Sequence, residues 1–162
     1  MQIDLRYGKG TTPLELPDDV FVTVVRKPDM PLLDDPAAAV TTAIDQPVGV
    51  PQLAELAQGA NSACIAVCDI TRPVPNHLFL RPLIESLLSG GIKRDNITVL
   101  VATGLHRPNE GAELAELVGD PWVLENVTVA NHFARNDADH VDLGSTSTRG
   151  TVVRIDRRFV EA

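Results

Sequence analysis

Aromatic residues are scarce in this 162-residue chain, with one Trp, one Tyr and four Phe. The core must therefore be built from Val, Ile, Leu and Ala, and the stacking platforms that bind single-stranded nucleic acid are excluded. Positive charge is scarce too. Lys and Arg total 14 against 22 Asp and Glu, a formal charge of −8, so phosphate attraction cannot hold the surface on nucleic acid. No apolar run approaches the length of a membrane span, and no basic stretch followed by an apolar run marks a signal peptide, which predicts a cytoplasmic protein with no membrane partner. The two cysteines, Cys64 and Cys68, fall in one apolar run; on a strand they lie about 13 Å apart, too far for a disulfide. They read as buried packing residues, with a Cys-x3-Cys metal pair as the sharper alternative. Also missing are G-x-G-x-x-G, G-x-x-x-x-G-K-[ST] and a serine in either loop after the two best strands, which disfavours ordinary dinucleotide, ATP and serine-hydrolase sites.

The length and near-average apolar content fit a single α/β domain over residues 1–162. Ile3 to Tyr7 and Val20 to Val25 read as strands of an N-terminal edge hairpin, separated by a turn-like Gly8 to Asp19. Asp35 followed by Pro36 starts a helix through Ile44, and Gln52 to Ala57 resumes it. From Ala63 the pattern becomes regular. Apolar strands at Ala63–Cys68, Ile97–Ala102 and Val127–Ala130 alternate with helices Asn76–Leu88 and Asn109–Val118, and a fourth short strand is read at Thr151–Ile155. Such alternation implies right-handed crossovers, hence a doubly wound, mostly parallel sheet with helices on both faces.

In such sheets ligands bind beyond the carboxyl ends of the strands. Asp69, Thr71 and Arg72 follow the first central strand, Thr103, Gly104, His106 and Arg107 the second, and Asn131 with His132 the third. Each alone has an ordinary explanation: Asp69 or Asn109 can cap a helix, Arg72 can pair with Asp69, and a strand-end histidine is most often a hydrogen-bonded loop residue. Together, a carboxylate, two guanidiniums and an imidazole can bind an anion and move a proton. Pro73, Pro75 and Pro108 stiffen both loops.

The runs Asp69-Ile70-Thr71-Arg72-Pro73-Val74-Pro75 and Thr103-Gly104-Leu105-His106-Arg107-Pro108 resemble the paired motifs D-x-T-R-P-x-P and T-G-x-H-R-P of the lactate racemase family, the nickel-pincer nucleotide enzymes. Asn131-His132 and the stretch Gly144 to Thr151 are similar to the family's next segments, with Phe133 where Asp is usual and Val152 where proline is common. The resemblance implies an isomerase, a racemase or epimerase of 2-hydroxy acids. In it His106 is a catalytic base, Arg72 binds the substrate carboxylate and Asp69 orients the cluster. Asp69, Thr71, Thr103, Gly104, Arg107, Asn131 and His132 face the nickel-pincer nucleotide. The two guanidiniums are expected to keep the His106 ring neutral and able to accept a proton. The family's downstream P-H-x-x-A-G-[FY]-S-G-G-x-K segment, with its second base and tethering lysine, and the further histidine that binds nickel are absent from this chain, so no metal ligand is assigned here. The chain is accordingly expected to be the N-terminal domain of a two-domain enzyme whose C-terminal domain is supplied in cis or in trans. The rival reading is a stand-alone, non-catalytic domain that holds an acidic metabolite through Arg72 and Arg107.

Overall fold

The computed structural model describes residues 1–162, which divide into two compact units, Met1–Leu32 and Leu33–Ala162. In the first unit β1 (Gln2–Tyr7) pairs antiparallel with β2 (Gly10–Glu15), Tyr7 facing Gly10. This corrects the expected partner: Val20 to Val25 forms no strand. Gly8, at φ +57°, makes a two-residue hairpin loop with Lys9, and so tight a turn captures the adjacent Thr-rich segment before a distant one can pair.

The second unit is built on three parallel strands in the order β3 (Ala63–Cys68), β4 (Ile97–Ala102), β5 (Thr128–Asn131). Three helices lie between these strands: α3 (Asn76–Ser89) between β3 and β4, and α4 (Gly111–Val118) and α5 (Pro121–Asn126) between β4 and β5. Before the sheet come α1 (Pro36–Asp45), capped by Asp35, whose side chain accepts from the Ala38 N–H at 2.9 Å, and α2 (Leu53–Leu56). The core lies on one sheet face. Ile97, Val99 and Val101 of β4 meet Leu80, Ile84 and Leu87 of α3, spaced i, i+4, i+7, with Val118 and Val123 from α4 and α5. Truncating the fully buried Ile84 to Ala there costs about 2–5 kcal/mol. Two glycines permit this packing. A side chain at Gly90 would meet Ala57 Cβ at 2.5 Å, and Gly119 ends α4 at φ +70° with His77 Cβ 2.8 Å from where its own Cβ would stand.

Beyond β5 the expectation of a fourth strand is met by β7 (Val152–Asp156), which pairs antiparallel with β6 (His140–Ser145) in a separate two-stranded sheet. A parallel strand needs a crossover of a dozen or more residues, usually helical. The polar segment before β7 instead folds back through a turn in which the Thr146 N–H reaches the Thr151 carbonyl at 2.9 Å. The short α6 (Arg157–Val160) follows, and Phe159 and Ile155 border a 240 Å³ hollow over Ala66, Leu100 and Ala102, the sheet face away from the core. Helices thus lie on both faces, unequally. Cys64 and Cys68 alternate onto that thinly covered face, which leaves Cys64 half-buried and, against expectation, Cys68 exposed. Neither is in a disulfide; burial, with the charge of Asp156, pushes the Cys64 thiol up. No helix is long and apolar enough to cross a membrane.

Candidate active site

Parallel register brings the residues after β3, β4 and β5 to one rim, as the doubly wound reading requires. Asp69 is only 5% exposed. One carboxylate oxygen, Oδ1, accepts from the Thr71 hydroxyl at 2.6 Å and the Thr71 N–H at 3.3 Å; the other, Oδ2, lies 2.5 Å from His106 Nδ1. The Thr71 hydroxyl and the His106 ring hold the Asp69 carboxyl below its ordinary value, against a smaller opposing effect of burial. An ionised carboxylate accepts only, so His106 donates to it from Nδ1, and in the neutral ring Nε2 is then the acceptor. The His106 side chain is 53% exposed. The carboxylate of Asp69 is the hydrogen-bonding partner of this imidazole.

Arg72 lies on the exposed side of the same loop. Its guanidinium donates to the Thr71 hydroxyl at 3.1 Å and has no carboxylate partner. Arg107 is placed differently: it forms a bidentate pair with Glu113 at 2.5 and 2.6 Å, and that guanidinium, helped by Asn109, pushes the Glu113 carboxyl down to about 2. Arg107 is thus already engaged by Glu113, whereas Arg72 is not engaged by any carboxylate.

At the third strand end, the Asn131 side chain accepts from the Asn109 N–H at 2.9 Å and donates to the Asn109 carbonyl at 2.8 Å, so its amide first serves the chain itself. Glu110, the residue before the helix, is extended at φ −135° and ψ 158°, so α4 begins at Gly111 instead of Asn109. Thr103 donates its hydroxyl to the His132 carbonyl. Gly104, at φ +58°, turns the backbone toward His106 with open space where a side chain would stand.

His132 forms a second carboxylate–imidazole pair that the motifs do not announce, with Nδ1 2.8 Å from Asp156 Oδ2 and its ring edge-on to His140 at 5.0 Å. Burial alone would raise the Asp156 carboxyl, but hydrogen bonds from Arg158 and His132 outweigh it and hold it below the carboxylate range. Asp156 is the last residue of β7, and no local sequence signal links it to His132. His106 and His132 both border a hollow of about 130 Å³, with Leu105, Phe133 and Arg135 completing its walls. His77, inside α3 and packed against Gly119, stands apart from the cluster.

With this geometry in hand, comparison with known proteins is specific. Residues 7–162 match the family described as the lactate racemase N-terminal domain. The lactate racemase of Thermoanaerobacterium thermosaccharolyticum is 31% identical over 99% of this chain, and that of Lactiplantibacillus plantarum 29% over 93%. The solved structure of the Thermoanaerobacterium lactate racemase apoprotein superposes with a TM-score of 0.77 at 28% identity, covering all of this chain and 37% of its own. The chain thus spans little more than a third of the curated relatives it matches, 37% and 36% of their lengths.

Proposed function

The chain belongs to the lactate racemase N-terminal domain family, and from that premise we propose that it forms the proton-transfer and carboxylate-binding wall of a cytoplasmic 2-hydroxy-acid racemase or epimerase. The observation that carries the reading is the Asp69–His106 pair, in which a buried carboxylate engages Nδ1 of a half-exposed ring and so leaves Nε2 of the neutral imidazole to accept a proton. Arg72 holds the substrate carboxylate, because its planar fork matches two oxygens and no acidic side chain in the chain engages it. His106 Nε2 takes the substrate's hydroxyl proton and later returns it to the same oxygen. Asp69 holds the ring in orientation and stabilises the imidazolium in between.

The nickel-pincer nucleotide implied by the motifs supplies a hydride acceptor when bound. These 162 residues group no three His, Cys, Asp or Glu side chains that could hold a metal ion by themselves, and they lack the segment that the motifs assign to the tethering lysine and the nickel-binding histidine. Holding nickel is assigned to the remainder of the enzyme, in cis or in trans, and no step derived for these residues passes through the metal.

The test is His106→Ala in the holoenzyme that contains this domain, read as the loss of optical rotation of D-lactate. The expected result is a fall in kcat of about 10²-fold or more with the fold retained. Turnover close to wild type would remove His106 from the mechanism.

A further inference from the structure

We propose that Asn109, braced by Asn131, is the positioning residue that holds the loop bearing His106 against the loop bearing Asp69. An asparagine just before a helix ordinarily caps it, yet here the capping position of α4 is Glu110 and no side chain caps that helix. The Asn109 side chain is otherwise engaged. It is 1% exposed, its Oδ1 accepts from the Ile70 N–H at 3.2 Å, and its Nδ2 donates to Glu113 at 2.8 Å. Ile70 adjoins Asp69, and only Arg107 and Pro108 separate Asn109 from His106. The carboxamide is therefore a direct tie between the loops after β3 and β4, close to both members of the acid–imidazole pair.

The second tie comes from β5. Asn131 offers its carboxamide to the backbone of Asn109 at 2.9 and 2.8 Å, as a peptide group of a neighbouring strand would, although β5 ends there. Three strand ends are thus locked through one buried residue. Thr103, whose carbonyl accepts from the His106 N–H at 3.0 Å, closes the turn from the other side. The 2.5 Å approach of His106 to Asp69 requires loop positions fixed to a few tenths of an ångström, and proline alone stiffens each loop without joining them.

The inference rests on the reading of His106 as a base, and the experiment separates the two. In the 162-residue chain, nitrogen-15 histidine NMR at pH 8 should show His106 as a single Nδ1–H tautomer with a slowly exchanging, downfield ring proton. Asn109→Ala should abolish that resonance and mix the tautomers, while the His132 signals, anchored separately by Asp156, stay in place. A general loss of structure would move both rings. Asn131→Ala removes the second tie and should produce the same change where Asn109→Ala fails to fold. In the holoenzyme, Asn109→Ala should lower kcat about tenfold or more with KM little changed. Retention of the His106 signature in both variants overturns the proposal. Loss of the signature with kcat unchanged upholds the tie and instead overturns His106 as the base.

Discussion

Replacing Asp69 by Asn leaves the side chain's shape almost untouched but exchanges one charged carboxylate oxygen for an NH2 group, so its effect can be worked from the geometry. The oxygen that accepts from the Thr71 hydroxyl and N–H, at 2.6 and 3.3 Å, must remain an oxygen, because both partners donate. The amide nitrogen then faces His106 at the place where a carboxylate oxygen stood 2.5 Å away. An N–H cannot accept from Nδ1–H, so the ring must move its proton to Nε2, the nitrogen that has to be bare. The variant therefore holds the right residue in the wrong tautomer. Loss of a positioned base corresponds to about 10²–10⁴ in kcat, or about 3–5 kcal/mol of transition-state stabilisation. KM should change little, since the proposed carboxylate-binding group is Arg72 and not Asp69. Folding should suffer by only about 1–2 kcal/mol, because the Thr71 hydrogen bonds survive. Optical-rotation assays of D-lactate with the holoenzyme, together with the His106 tautomer read by NMR, check both halves. A kcat within about threefold of wild type, or a ring still protonated at Nδ1, refutes the reasoning.

Other perturbations test neighbouring parts of the account. Arg72→Lys keeps the charge but not the fork, and should raise KM about tenfold, equivalent to about 1.4 kcal/mol, with a smaller effect on kcat; an unchanged KM in steady-state kinetics removes Arg72 from carboxylate binding. Asp156 has a folded carboxyl held below its ordinary value of 3.8, so its stabilising contribution is complete above that value and is lost as pH falls through the folded one. The urea midpoint of the chain should accordingly drop between pH 5 and pH 2. Asp156→Asn should be less stable at pH 5 and show a flatter dependence, and an unaltered slope would remove Asp156 from the acid response.

The parallel centre of the molecule was legible because its signals are local and redundant. Ile97–Ala102 is apolar throughout, its neighbour Ala63–Cys68 likewise, and each is followed by a helix with glycine at or near its end. Topology then does the rest: once β3 and β4 run parallel, Asp69 and His106 must share a rim. The periphery was less legible because it depends on competition between pairings. Thr11 to Glu15 has too polar a sequence to read as a strand, yet a tight turn at Gly8 is enough to pair it with β1 on an exposed ribbon. The helix at Pro121 went unread although Asp120-Pro121 repeats the Asp35-Pro36 signal, with Asp120 accepting from the Trp122 N–H at 2.9 Å. Within the site, the motifs name Asp69 and His106, but nothing local marks Asn109 as a tie to Ile70, 39 positions away, or Asp156 as the partner of His132, 24 positions away. Those roles arise only when three loops meet.

The central claim is that this domain contributes one wall of a racemase site and needs the rest of the enzyme for turnover. Its most direct test is the optical rotation of D-lactate under the 162-residue chain alone and under the holoenzyme that contains it, both prepared with the nucleotide cofactor's biosynthetic enzymes present, with intact mass and nickel content measured alongside. The chain alone is expected to fold, gain no mass from a tethered nucleotide, retain no stoichiometric nickel and leave the rotation unchanged, while the holoenzyme drives it to zero. Racemisation by the chain alone, or a nucleotide-sized mass increase on it, would contradict the account.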